Sequence, residues 1–302
     1  MRIVFVLDGL KVGNAYIRGI IPTLGMKRES VPAEYVVANN FNPAGTKKDD
    51  VVVFVKYDRL NQAKLVKKTG ARVILDVVDS KKHWKQHRDY LDGLIVNTQT
   101  QVEIIRNRDN FVKPIFKIPH ILTNFEKDLV GQVRKQLPDR IKTVGYLGVA
   151  KTFTDMPLFQ NFCSQNNLDW YTNQPSIDIN ETATLKLDLG CIYFCGDTAR
   201  VGGTISISKP SAKLLNLFSY GIPALFSPYE SYLDEIGQSN YPDLLWGCCN
   251  TPAAMFDKIK ILQDNPKFYH ELSNQSYEMS RKYHISNTVK IYKDLILFAR
   301  SQ

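Results

Sequence analysis

The chain has 302 residues, 44% of them hydrophobic and 23% charged, with a formal net charge of +9. That length supports two domains with their own cores, and the composition excludes disordered, collagenous and disulfide-scaffold classes. No apolar run approaches the roughly 20 residues that span a bilayer. The opening run Ile3–Leu7 is too short for a secretory leader and is cut by Asp8, so a cytoplasmic protein is expected.

In chain order, the β-branched run 2–7 predicts a strand ending at Asp8-Gly9, and an amphipathic stretch follows Gly13 over 16–24. Val51–Val55 predicts a strand ending at Lys56, and 59–69 a helix stopped by Gly70. A strand at 72–75 closes with Asp76 and Asp79. Another, Gly93–Val96, ends in Asn97-Thr98 before a helix over 99–106. A short strand lies within 113–120. A second series opens with a strand at 141–147, followed by Gly148 and Lys151. It continues with a helix at 155–166, strands at 168–171, 188–194 and 243–247, and helices from Pro252 onward.

Repeating β–α units predict an α/β protein: two Rossmann-like, doubly wound domains facing across a cleft. The expected bounds are 1–125, a polar linker 126–140, and 141–284, with a C-terminal helix at 285–302 returning to the first domain. Ligands of such sheets gather beyond the carboxyl ends of the strands, where Asp8, Lys56, Asp79 and Thr98 stand.

The charge is unevenly spread. Residues 1–150 carry 26 Lys and Arg against 15 Asp and Glu, whereas 151–302 carry 13 against 15. A basic first half suits an acidic acceptor or peripheral contact with an anionic membrane, and nucleic acid is disfavoured for want of a motif. Five cysteines, an odd number, fit reduced thiols. Neither Cys191/Cys195 nor Cys248/Cys249 has knuckle spacing, and His83 and His87 suit a surface helix better than a metal, so no metal site is expected.

Residues 209–229, KPSAKLLNLFSYGIPALFSPY, carry the strongest local chemistry. Leu214, Leu217 and Phe218 recur at helical spacing, Pro210 suits a first helical position, and Ser208 or Ser211 can cap nearby amides. Gly221 stops the helix, Pro223 bars its continuation, and Ala224–Phe226 reads as a buried strand. The free amides and positive dipole end of the helix start, with the Lys213 ammonium, suit a phosphate. The plain alternative is a lysine that only solvates a helix end.

This segment resembles the donor-site signature of GT-B glycosyltransferases of the family 4-like, or group 1-like, kind: a Lys-Leu pair, a small helix, Gly-Ile-Pro and a hydrophobic strand. In that family the lysine eight residues before the glycine contacts the diphosphate of a nucleotide sugar, and Lys213 stands eight before Gly221. Ser208 and Asn216 occupy the positions of the usual spaced glutamate pair, which leaves retention and inversion of the anomer open. Residues 50–56, 70–79, 90–98 and 117–120 and the closing helices are similar to family segments in the same order. The resemblance implies transfer of a sugar from a nucleotide-sugar donor to a glycan, lipid-linked or other hydroxyl acceptor, in surface polysaccharide or glycan synthesis. It implies no cofactor and no metal.

Such a transfer needs the departing diphosphate stabilised and the acceptor hydroxyl positioned and, for inversion, deprotonated. Lys213 is the first candidate for the diphosphate, Lys151 behind Gly148 the second, and Arg200 in the glycine-rich loop 200–204 the third. Ser208, Lys209, Ser211 and Asn216 complete the expected donor site. Gly9 and Gly13 let the first helix start close to a ligand, although their turn lacks GxGxxG spacing. Asp79, Asp8 and His120 are the candidate bases, and Asp79 suits a helix N-cap equally well. A non-catalytic nucleotide- or sugar-binding protein and a nucleotide-sugar epimerase on the same fold are the alternative readings.

Overall fold

A computed structural model describes residues 1–10, 15–56, 60–78, 85, 88–122, 124, 132–148, 153, 155–172, 184–193, 200–201, 204–205 and 211–301. The chain divides into two compact units, Met1–Ile121 with Tyr283–Gln302, and Leu122–Lys282. Each is built on its own parallel sheet.

In the first unit, β1 (Ile3–Leu7), β2 (Ala33–Val37), β3 (Val51–Val55), β4 (Arg72–Asp76), β5 (Gly93–Val96) and β6 (Ile115–Lys117) lie in the order β2-β1-β3-β4-β5-β6. Every pairing is parallel. β1, β3 and β5 are buried at every position, so their sequences are unbroken apolar runs rather than alternating ones. β2 escapes the sequence reading: it is a partly exposed edge strand, AEYVV, whose apolar residues are interrupted by Glu34. Its register, Phe5 opposite Tyr35, comes from pairing with β1.

The helices of this unit are α1 (Ile21–Arg28), preceded by a π-helical turn Tyr16–Ile20, α2 (Leu60–Lys68), α3 (Gln99–Glu103) and the C-terminal helix Ile285–Ser301. A Cβ on Gly25 of α1 would stand 2.7 Å from Ile285 Cδ1 and 2.8 Å from Val289 Cγ2, so the glycine sets how closely these helices approach. Tyr292 on the C-terminal helix meets Phe5 edge-on, with ring centroids 5.5 Å apart.

The second unit holds β7 (Thr143–Tyr146), β8 (Asp169–Thr172), β9 (Leu189–Ile192), a two-stranded antiparallel ribbon of β10 (Arg200–Val201) and β11 (Thr204–Ile205), and β12 (Ala224–Phe226). Its main sheet runs β12-β9-β7-β8, all parallel. The helices are α4 (Met156–Gln165), α5 (Ala212–Ser219), α6 (Glu230–Gly237), α7 (Pro252–Asp264) and α8 (Pro266–Ser280). α5 buries Leu214, Leu215, Leu217 and Phe218. Gly221, at φ +73°, takes the left-handed conformation that ends the helix. A Cβ on Gly190 would lie 2.3 Å from Leu217 Cδ1, which brings α5 directly onto β9. Asp188 anchors the start of β7, accepting from the amides of Lys142 and Thr143 at 2.9 and 3.0 Å while pairing with Lys135 at 2.8 Å.

The strand expected at 243–247 is instead a 3-10 helix, Pro242–Gly247. Pro242 fixes its own φ and brings no N–H to a ladder. The chain reaches the sheet just afterwards, where Cys248 bridges Phe226 and the Cys249 amide donates to the Phe226 carbonyl at 2.8 Å. Cys163, Cys191 and Cys249 are buried free thiols and Cys248 is half-buried, while Cys195, His83 and His87 lie outside the described residues. Among the described residues no helix is long and apolar enough to cross a membrane.

Gly145, inside β7, gives a direct test of this packing. A Cβ there would stand 2.1 Å from the Tyr171 carbonyl oxygen, a backbone atom that cannot swing away. Gly145→Ala should therefore destabilise the chain by about 1–3 kcal/mol, the range for overpacking a core. Urea unfolding would show it as a fall in midpoint, and an unchanged midpoint would refute the packing at this position.

Candidate functional site

Each sheet contains one place where the strand order reverses. In the second unit the chain begins at β7, pairs β8 on one side and then places β9 on the other. Beyond the carboxyl ends of strands at such a reversal, neighbouring loops diverge and leave a ligand-sized crevice. Gly148 lies two residues past β7. A Cβ on it would stand 2.5 Å from Tyr146 Oη and 2.8 Å from Lys213 Cε, so the glycine leaves room for the end of the lysine side chain beside the Tyr146 hydroxyl. Lys213 Nζ sits 5.9 Å from the centroid of the buried Tyr146 ring, at the limit of a cation–π contact. Lys213 and Gly148, 65 positions apart in sequence, thus share one place.

Lys213 stands in the first turn of α5, whose N-cap is Ser211. The Ser211 carbonyl accepts from the Leu215 amide at 2.9 Å, but its side chain makes no capping bond, and its buried Oγ has no hydrogen-bond partner among the described residues. Lys213 and Asn216, one turn apart, are half-buried while Leu214, Leu215 and Leu217 turn inward, so they share the accessible stripe of the helix. The positive end of the helix and an ammonium in its first turn together favour an anion. Of the other expected donor residues, Lys151, Ser208 and Lys209 lie outside the described residues, and Arg200 is described only as backbone paired with Ile205.

The first sheet reverses between β1 and β3. Asp8 and Gly9 follow β1, Asp8 exposed and Gly9 with nothing described within 4 Å of an added Cβ. Lys56 follows β3 at φ +70°, and Val78 follows β4 at φ +50°. For a non-glycine residue that conformation costs about 1–3 kcal/mol, and more for a β-branched valine. Both are held by Asp76. Its carbonyl accepts from the Lys56 amide at 2.8 Å, and its Oδ1 accepts from the Val78 amide at 3.3 Å. The Val78 carbonyl in turn accepts from Asn97 Nδ2 at 2.7 Å and Gln101 Nε2 at 3.3 Å. Thr98 and Gln101 form a capping box that starts α3. Asp79 and Gly13 lie outside the described residues.

Sequence reading missed Arg18, which organises this edge from below. It is fully buried in the π-helical turn, a distortion often found near functional sites. Its Nε donates to Asp76 Oδ2 at 2.7 Å, and its Nη1 donates to the carbonyls of Ile118 and Pro119, both at 2.9 Å. Burial pushes the Asp76 carboxyl up, and the Arg18 charge and hydrogen bond oppose it. The usable signal was an arginine amid apolar Ile17, Ile20 and Ile21. His120, a candidate base, is sealed in the interior at 1% exposure, apart from the exposed Asp8. Burial, and then the Arg18 charge, hold it well below the usual histidine range.

That shift has a definite sign. The unfolded chain takes up a proton at His120 below about pH 6.5 and the folded chain does not. Stability from this residue is therefore complete above that value and falls as the pH drops below it. His120→Asn should flatten the decline of the thermal midpoint between pH 7.5 and 5, and parallel wild-type and variant profiles would contradict the assignment.

Among the described residues no group of three or more His, Cys, Asp or Glu side chains can hold a metal ion. No protein-family model and no curated protein matches the sequence. Solved structures do. Sucrose-phosphate synthase of Thermosynechococcus elongatus superposes with a TM-score of 0.59 at 10% identity, covering 100% of this chain and 99% of that one. The α,α-trehalose-phosphate synthase (UDP-forming) of Burkholderia vietnamiensis gives 0.59 at 10%, with 100% of both chains covered. The GtfA/B complex gives 0.53 at 14%, covering 85% of this chain and 58% of that chain, so the present chain spans little more than half the length of that relative. Two parallel-sheet units, superposing over the full chain on the two synthases, make the fold GT-B.

Proposed function

We propose that this protein transfers a sugar from a nucleoside-diphosphate donor to a hydroxyl acceptor. The observation that carries the reading is Lys213 in the first turn of α5, laid past Gly148 at the reversal point of the second sheet. In this reading the diphosphate lies against the α5 amides and the lysine ammonium, which stabilise negative charge as the sugar departs. Asn216, one turn further along the same stripe, bonds a donor hydroxyl through its amide. UDP is the first nucleotide to test, because the Burkholderia synthase is described as UDP-forming. Asp8 and Lys56, at the reversal point of the first sheet, are the residues proposed to meet the acceptor, in a half of the chain whose positive balance favours an acidic acceptor or an anionic membrane surface.

Asn216 and Ser208, at positions where the glycosyltransferase signature that this segment resembles carries glutamates, favour one second reading: a protein that binds the nucleotide sugar without turning it over. Calorimetric titration with UDP, with and without Mn2+, should show saturable binding that Lys213→Ala weakens at least tenfold, about 1.4 kcal/mol. Lys260→Ala, an exposed lysine of α7, serves as the control and should bind as wild type. Equal affinity in wild type and Lys213→Ala would remove the proposed donor site. Release of UDP from UDP-sugars by wild type separates the enzyme from the binding protein.

A further inference from the structure

We infer that the first unit encloses a buried solvent site beside the Arg18–Asp76 pair, closed by Arg18 Nη2, the His120 ring and the Tyr292 hydroxyl. All three residues are at most 1% exposed, and none of these polar atoms has a hydrogen-bond partner among the described residues. They belong to one neighbourhood. Arg18 Nη1 grips the carbonyls of Ile118 and Pro119, the two residues before His120. The Arg18 charge acts on both His120 and Tyr292, and Asp76 also acts on Tyr292. The Tyr292 ring itself is held by its edge-on contact with Phe5 of β1.

Interiors leave few polar atoms unpaired, and those that look so are generally met by ordered water or an ion. Here four such atoms (Arg18 Nη2, His120 Nδ1 and Nε2, Tyr292 Oη) belong to residues that share the neighbourhood of one ion pair. Their chemistry selects the ligand. The arginine nitrogen only donates, the phenol does either, and a neutral imidazole has one donor and one lone pair. An anion accepts but cannot serve that lone pair. Its charge would also stand uncompensated, because Arg18 is already matched by Asp76 at 2.7 Å. Water both donates and accepts, and two to four polar partners are what a buried water needs. Hydration at this point keeps Arg18 and Asp76 ionised, and so keeps Asp76 as the acceptor that holds Val78 in its left-handed conformation.

Tyr292→Phe removes one oxygen and decides between a hydrated and a dry arrangement by sign. If the hydroxyl bonds solvent, its loss should lower the thermal midpoint of the full chain by about 2–4 °C. If the hydroxyl is truly unpaired, its loss should raise the midpoint or leave it unchanged, and the inference is overturned. The wild-type-to-variant difference should be the same in sodium chloride and sodium fluoride. A difference present in chloride alone would assign an anion instead of water and equally overturn it. A high-resolution crystal structure should show an ordered solvent peak at about 2.7–3.2 Å from both Arg18 Nη2 and a His120 nitrogen. Protein atoms occupying that position would refute the site.

Discussion

A parallel strand needs a crossover to reach its neighbour, and the crossover helix covers the sheet, so a sheet made only of parallel strands is buried on both faces. Most of what is distinctive here follows from that constraint. β1, β3, β5 and β9 can hold no polar side chain at any position, and they hold none. Polar chemistry is displaced to the strand ends, and on the carboxyl side it collects where the strand order reverses. Asp8 and Lys56 stand at that point in one sheet, and Gly148 at that point in the other.

Close approach is the second theme. Gly25, Gly148 and Gly190 each stand where a methyl group would strike a neighbouring side chain, and each brings a particular pair of elements together. Gly190 seats α5 on β9 through Leu217, which fixes the helix. Gly148 then leaves room for the stem of Lys213 beside the end of β7. The candidate anion site therefore depends on two glycines outside α5 as much as on the helix itself. Its electrostatics come from the positive end of α5, where Ser211 supplies no side-chain cap, and from the Lys213 ammonium beside the Tyr146 ring.

The buried charge of the first unit works differently. Removing one partner from a buried ion pair typically costs about 3–5 kcal/mol, whereas the intact pair adds little net stability over an apolar replacement. The value of Arg18 and Asp76 thus lies in what they hold. Arg18 joins the π-helical turn to β4 and to the chain leaving β6, and Asp76 holds two residues in an unfavourable backbone conformation at the mouth of the sheet. Strain and buried charge meet at Asp76, as expected where local geometry is maintained against local preference.

The sequence by itself determined the elements governed by neighbours along the chain. Unbroken apolar runs mark β1, β3 and β5, Gly221 marks the end of α5, and the eight-residue spacing from Lys213 to Gly221 marks the candidate donor helix. It failed where the signal was not local. Edge strand β2 is interrupted by Glu34 and only partly buried, and 243–247 looks like a strand but follows Pro242 into a 3-10 helix. Tertiary structure alone decided strand order, and hence the two reversal points, because order depends on which side of the sheet each crossover returns to. It alone joined Lys213 to Gly148 and Arg18 to Asp76, and it alone withdrew His120 into the interior. Those pairings lie 65 and 58 positions apart, far beyond the few residues over which helix and strand periodicity carry information.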